Sequence, residues 1–274
     1  MNSVEAMNLY RKYASAMAYV DILRPNGDRG IGSAFHVGNG VFVTARHVVE
    51  GNSVVEVKIT EPIAIDSREF LSTYGSNPLD ENAVRRQDEA FEKVAGAKPL
   101  YKHFLPSLHI MEGPYFSSEN SLDVAVFKVA EIHKNTPAIP LGFHWDDWVY
   151  RAPWQLTDAI VLGYPPIPMV NEPVLIPARA EIHTYICPRH APKIHFVLSA
   201  TPRGGFSGGA AIHESGDILG VITSSLVANE RAEELGFFTV LSIEGIVQCL
   251  EEFNLFPEFQ RVHHESVLAS LTKP

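Results

Sequence analysis

A serine framed by glycines stands at Gly205-Phe206-Ser207-Gly208-Gly209, inside a turn that begins at Thr201. Glycines let the backbone take tight or positive-φ conformations and let another chain approach closely, which an exposed oxygen nucleophile needs. A serine hydroxyl attacks poorly unless a base takes its proton and a third group orients that base. Two upstream segments offer those groups. His47 lies in Thr44-Ala45-Arg46-His47-Val48-Val49, after an apolar run, and Asp123 lies in Ser121-Leu122-Asp123-Val124-Ala125-Val126-Phe127. Singly, each has a bland reading: a histidine after a strand is usually polar surface, an aspartate before one a turn residue, and a glycine-rich serine segment only a turn. In the order His, Asp, Ser they describe attack on a carbonyl assisted by proton transfer.

The elements that must carry these groups are short strands separated by turn signals. A first set is expected at Ala18–Leu23, Ile31–Val37, Val41–Ala45, Ser53–Ile59 and Ser121–Val129. A second set follows at Asp158–Gly163, Val174–Ile186, Lys193–Ala200, Gly209–His213, Ile218–Ser224 and Gly236–Leu241. Regular short strands of this kind mean an all-β sandwich or barrel, with about six strands in each set. The segment Glu131–Trp154, polar and proline-containing, is expected to connect the two. Three helical segments are expected: an amphipathic one near the start using Val4, Met7, Tyr10, Ala14 and Met17, one from Asn77 to Gly96, and a closing one over Ser242–Phe253.

The pentapeptide around Ser207 satisfies both the Gly-x-Ser-Gly-Gly of trypsin-like proteases and the looser Gly-x-Ser-x-Gly elbow of α/β-hydrolases. An elbow serine is followed by a helix of several turns. Here Gly208–His213 runs into Glu214-Ser215-Gly216-Asp217, a hairpin turn, and then another strand. The hydrolase order also needs acid and base after the serine, where only Asp217 with His263 or His264 could serve.

Three motifs in the other order carry a resemblance. Ile31-Gly32-Ser33-Ala34-Phe35 with Thr44-Ala45-Arg46-His47, then Asp123-Val124-Ala125-Val126, then Gly205-Phe206-Ser207-Gly208-Gly209 resemble the signatures of the chymotrypsin/trypsin-like serine peptidases. The flavour is bacterial and similar to HtrA-like peptidase domains. The resemblance implies an all-β fold of two six-stranded antiparallel barrels, a chymotrypsin-like double barrel with an N-terminal helix, a helical insertion and a C-terminal helix. It places the first barrel within residues 1–135 with an insertion at 60–120, and the second barrel with the C-terminal helix within 150–274.

It also implies a serine endopeptidase acting through an acyl-enzyme. Ser207 is the nucleophile, His47 the base and Asp123 its orienting partner, with the backbone N–H groups of Gly205 and Ser207 as the oxyanion hole. Thr223, Ser224 and Ser225 take substrate-binding positions, Thr223 also standing where a family hydroxyl often supports the aspartate. Thr201 stands where trypsin carries its specificity aspartate, so cleavage after Arg or Lys loses its electrostatic reason and a small or medium uncharged side chain is expected instead. Phe206 replaces the aspartate that binds a newly cut N-terminus in secreted relatives, so another contact must order the oxyanion loop. The alternative reading is a catalytically silent member of the family that serves as a protein-interaction module.

Composition bounds these readings. Net charge is −10, which repels phosphate backbones, so neither nucleic acid nor an anionic membrane is an expected partner. Two cysteines, Cys187 and Cys249, exclude a disulfide-stapled scaffold and fit a reducing, cytoplasmic setting. Arg11 and Lys12 precede a short apolar stretch, read as the end of a helix rather than a signal peptide. No cofactor or metal is expected, because Cys187-Pro188-Arg189-His190 and His263-His264 lack a partner pair at zinc spacing. Expected partners are a protein or peptide substrate and, from the family's habits, a regulatory or sensor protein; no PDZ domain is expected after the second barrel. The long excursion Thr60–Asn120 reads equally as decoration or as a lid or docking element. Asn229–Glu234 reads as a solvated loop.

Overall fold

A computed structural model describes residues 1–59, 105–142, 149, 153–170, 172–188, 193–200, 204–225 and 238–271, the side chains of residues 224, 225, 238 and 266–271 excepted. Twelve strands in this set build two sheets of six. The first half of the chain supplies β1 (Met17–Leu23), β2 (Arg29–Gly38), β3 (Val41–Thr44), β4 (Ser53–Ile59), β5 (Ile110–Phe116) and β6 (Ala125–Val129). They hydrogen-bond in the order β4-β1-β2-β3-β6-β5. This sheet is curled rather than closed, and its edges are drawn together where the Leu108 amide donates to the Val57 carbonyl at 2.8 Å. Phe35, Phe42 and Phe127 fill its interior with no solvent exposure, the rings of Phe42 and Phe127 stacked at 5.5 Å.

The second sheet is a closed barrel of β7 (Asp158–Gly163), β8 (Ile176–Ile186), β9 (His195–Leu198), β10 (Ala210–His213), β11 (Ile218–Ser225) and β12 (Phe238–Ser242). Closure removes every edge, so each interior strand finds both its backbone partners. Phe196, Leu198, Val161, Ile182 and Phe206 lie in its core. Both sheets fall within one compact unit, Met1–Thr60 with Pro106–Pro274.

Helices cover the ends. In α1 (Ser3–Tyr13), Asn2 and Glu5 form a reciprocal capping box. The expected face was one step out of phase: Val4 and Met7 are exposed, while Ala6, Leu9, Tyr10 and Tyr13 point inward. Met17 belongs to β1. In α3 (Ile243–Glu252), Ile243, Ile246, Val247 and Leu250 are buried as the period required. That helix does not serve the second barrel alone, because Glu252 accepts from the Ser118 amide at 2.8 Å and from Ser118 Oγ at 2.9 Å. A further helix, α4 (Glu258–Leu271), returns to the first sheet. Its Gln260 is fully buried and bonds the Leu141 amide and the Val37 and Ile139 carbonyls at 2.7–2.9 Å.

Two strand expectations changed. β5 was hidden because Gly113 and Pro114 interrupt its alternation, which an edge strand tolerates. The expected strand Ser121–Val129 begins only at Ala125, leaving Asp123 in a loop. The expected helix Asn77–Gly96, the loop Asn229–Glu234 and Thr201 lie outside the described residues. No described helix is long and apolar enough to cross a membrane. Cys187 is exposed and Cys249 buried, both as free thiols, and burial pushes Cys249 up to about 12.

Burial disfavours the charged form of several histidines. His36 is the clearest: its Nδ1 lies 2.8 Å from the Pro137 carbonyl while Nε2 accepts from the Gly40 amide at 3.1 Å. A second ring proton would oppose that amide. Burial lowers His36, His195 and His213 below their ordinary 6.5. The unfolded chain therefore binds protons first, and the stability these rings contribute is complete above 6.5 and lost as pH falls through their lowered folded values. Thermal unfolding should show Tm lower by a few °C at about pH 5.5 than at about pH 7.5; a flat profile would contradict this account.

Candidate active site

The antiparallel register pairs Thr44, the last residue of β3, with Ala125, the first of β6. His47 follows the one and Asp123 precedes the other, so both come to the same end of the sheet. His47 sits in the short helix α2 (Arg46–Val49). Gly32 lets that helix lie against β2, since a Cβ there would stand 2.4 Å from Val48 Cγ1. His47 Nδ1 lies 2.7 Å from Asp123 Oδ2, and the His47 amide donates to Oδ1 at 3.0 Å. An ionised carboxylate only accepts, so Nδ1 carries a proton, and in the neutral ring Nε2 is the nitrogen with the lone pair. Burial raises the Asp123 carboxyl, but the bond from the His47 ring, that ring's charge and the His47 and Arg46 amides outweigh it and hold it below the usual carboxylate range.

The loop carrying Asp123 is gripped by Arg46 and by Glu252. Arg46 donates to Glu50 Oε1 at 2.6 Å and to Asn120 Oδ1 at 3.3 Å, and its guanidinium lies 5.3 Å from the Phe116 ring centroid. Glu252 of α3 also holds Ser118. Arg46 thus ties the histidine's helix to the aspartate's loop, a role its position beside His47 did not disclose.

Ser207 arrives from the second barrel, three residues before β10. The Gly208 amide donates to the Ile222 carbonyl at 2.7 Å, and the Ile222 amide to Gly209 at 2.9 Å, which fixes the turn on β11. Phe206 is 3% exposed within the barrel core, and burying such a ring contributes about 2–3 kcal/mol of anchoring. The Ser207 carbonyl accepts from the Ser33 amide of β2 at 2.8 Å. Gly208 abuts the segment leading into His47: a Cβ there would be 2.3 Å from Thr44 Oγ1 and 3.0 Å from the Ala45 amide nitrogen. Among the described residues neither the Gly205 nor the Ser207 amide donates to a protein acceptor. Ser207 Oγ donates to the Thr223 carbonyl at 3.0 Å, and no hydrogen bond joins it to His47 Nε2.

A family model described as the trypsin-like peptidase domain matches residues 32–221, a span that contains His47, Asp123 and Ser207. The chain belongs to the trypsin-like peptidase family. Solved structures agree on the fold of this trypsin-like domain. The active form of the Rv3671c protease from M. tuberculosis superposes with a TM-score of 0.56 at 18% identity, over 91% of this chain and 86% of that one. The HtrA-type protease AlgW with tripeptide gives 0.56 at 15%, over 93% and 64%. The serine endoprotease from Yersinia pestis gives 0.53 at 16%, over 90% and 65%. The chain therefore spans less than two thirds of the length of the latter two. A comparison with curated protein sequences found no match.

Within the trypsin-like domain, other expected positions fare differently. The Thr223 hydroxyl is buried without a hydrogen-bond partner, so it does not support Asp123 as expected; its carbonyl is the part that meets Ser207. Ser224 and Ser225 lie on β11, their side chains outside the described residues. Phe206, the departure from secreted relatives, is a core anchor. A cleft of about 640 Å³ runs from Gly204 and Gly205 along Tyr19, Arg24 and Pro166.

Proposed function

We propose that this protein is a serine endopeptidase that hydrolyses peptide bonds of protein substrates through His47, Asp123 and Ser207. The observation that carries the reading is the doubly bonded His47–Asp123 pair at 2.7 and 3.0 Å, next to a nucleophile turn whose Gly208 packs on Ser33, Thr44 and Ala45. In the reaction the Ser207 hydroxyl leaves the Thr223 carbonyl for His47 Nε2. Catalytic hydrogen bonds often tighten only when substrate binds. His47 takes the proton as Oγ attacks the scissile carbonyl, and Asp123 stabilises the imidazolium. The Gly205 and Ser207 amides receive the developing oxyanion. His47 then protonates the leaving amine, and water hydrolyses the acyl-enzyme by the same relay. The cleft beside Gly204 offers room for the substrate chain.

The hydroxyl's bond to Thr223 favours a second reading, a silent member of the family that binds a protein partner. A fluorophosphonate probe separates them. Labelling of wild type that is lost in Ser207→Ala supports the peptidase; equal labelling of both, or of neither, would turn the reading toward the interaction module. The free thiols favour a reducing compartment such as the cytoplasm as the setting.

A further inference from the structure

Ser33 is a polar residue in an apolar strand, has no solvent exposure, and uses every hydrogen-bonding group it has. Its amide donates to the Ser207 carbonyl at 2.8 Å. Its carbonyl accepts from Thr44 Oγ1 at 2.7 Å. Its hydroxyl donates to the Gly205 carbonyl at 2.7 Å and accepts from the Tyr164 amide at 2.9 Å. Three of these bonds cross from the first sheet to the second barrel, and two end on the segment whose amides form the proposed oxyanion hole.

We infer that Ser33 is a positioning residue for the oxyanion hole: its hydroxyl and amide hold the Gly205 and Ser207 carbonyls and thereby aim the backbone donors between and beside them. The inference rests on the peptidase reading of that site. Each held carbonyl fixes its own peptide plane, and the Phe206–Ser207 peptide is bracketed by the two. Gly205 sits at φ +88°, with freedom to reorient unless something restrains it. Phe206 stands where secreted relatives are expected to carry the aspartate of an N-terminal salt bridge, and Ser33 supplies a restraint from the first sheet. A fully satisfied buried network of this kind rigidifies what it connects, and removing one member leaves the others unsatisfied. In Ser33→Ala the Gly205 carbonyl and the Tyr164 amide both lose the Ser33 hydroxyl.

The test uses the full chain and a fluorophosphonate, whose phosphonyl oxygen occupies the oxyanion position. Ser33→Ala should label about 10- to 100-fold more slowly than wild type, the scale of a displaced catalytic group. Its Gly208 and Gly209 amides, bonded in wild type to the Ile222 and Phe206 carbonyls, should exchange hydrogen faster. Gln260→Leu, which removes buried hydrogen bonds to Val37, Ile139 and Leu141, should lower Tm yet label at the wild-type rate. Equal labelling by Ser33→Ala and wild type, or slowing by Gln260→Leu to the same degree, overturns the positioning role. If wild type itself does not label, the peptidase reading fails, and exchange of the Gly208 and Gly209 amides still decides whether Ser33 restrains the loop: faster in Ser33→Ala supports it, unchanged sinks it.

Discussion

Asp123→Asn should lower kcat about 10⁴-fold while leaving Tm within a few degrees of wild type. The carboxylate accepts two N–H groups of the same residue, the His47 amide on Oδ1 and the ring on Oδ2. An amide of the same shape has one oxygen and one NH₂. If its oxygen faces the His47 amide, NH₂ faces Nδ1 and the ring can keep that contact only by moving its proton to Nε2. The nitrogen that should receive the Ser207 proton is then already protonated. If the side chain is turned over, two donors oppose each other at the backbone. The first orientation puts the base in the wrong form, and the second sets two N–H groups against each other, although size and packing barely change. Steady-state kinetics on a cleavable substrate, with Tm measured on the same samples, decides this; a loss under about tenfold would mean that Asp123 does not set the His47 tautomer.

Gly208→Ala should be the most damaging single substitution in the nucleophile turn, destabilising by at least about 4 kcal/mol and leaving little folded protein. Two independent causes combine. Gly208 has φ +82°, where an L-residue costs about 1–2 kcal/mol. A Cβ there would also stand 2.0 Å from the Ser33 carbonyl oxygen, and neither backbone can retreat without parting the two sheets. Gly51→Ala is the matched control: φ is +71° but nothing lies within 4 Å, so only the backbone term of about 1 kcal/mol remains. Equal losses of Tm for the two variants would show that the close approach at Gly208 is not the constraint.

Sequence reasoning reached furthest where chemistry is local. The hairpin after Ser207 could be read because Glu214-Ser215-Gly216-Asp217 is a turn by composition, and it separated a barrel from an elbow-and-helix arrangement before any contact was known. The buried face of α3 followed from its period for the same reason. The helix α1 was legible as an element but not in phase, because Tyr10 satisfies either face and only packing against the β10–β11 turn, with Leu9 and Tyr13 beside Gly216, chooses between them. Strand β5 was lost to a glycine and a proline that an edge position permits.

Gln260 is the sharpest miss. On a helix among Glu258, Arg261 and His263 it looks like surface, yet its amide bonds residues 119, 121 and 223 positions away.

The identity of the three chemical groups, their order and the sheet-rich character of the chain were therefore determined by the sequence alone, since each depends on residue type and short-range pattern. Tertiary structure alone decided how those groups meet: that Asp123 receives two N–H groups from His47, that Thr223 offers Ser207 its carbonyl rather than its hydroxyl to Asp123, and that Ser33 reaches Gly205 across 172 positions. The physical reason is that a hydrogen bond is chosen by distance and direction in the folded chain. A serine in a strand carries the same atoms whether it faces water or holds the loop of another barrel.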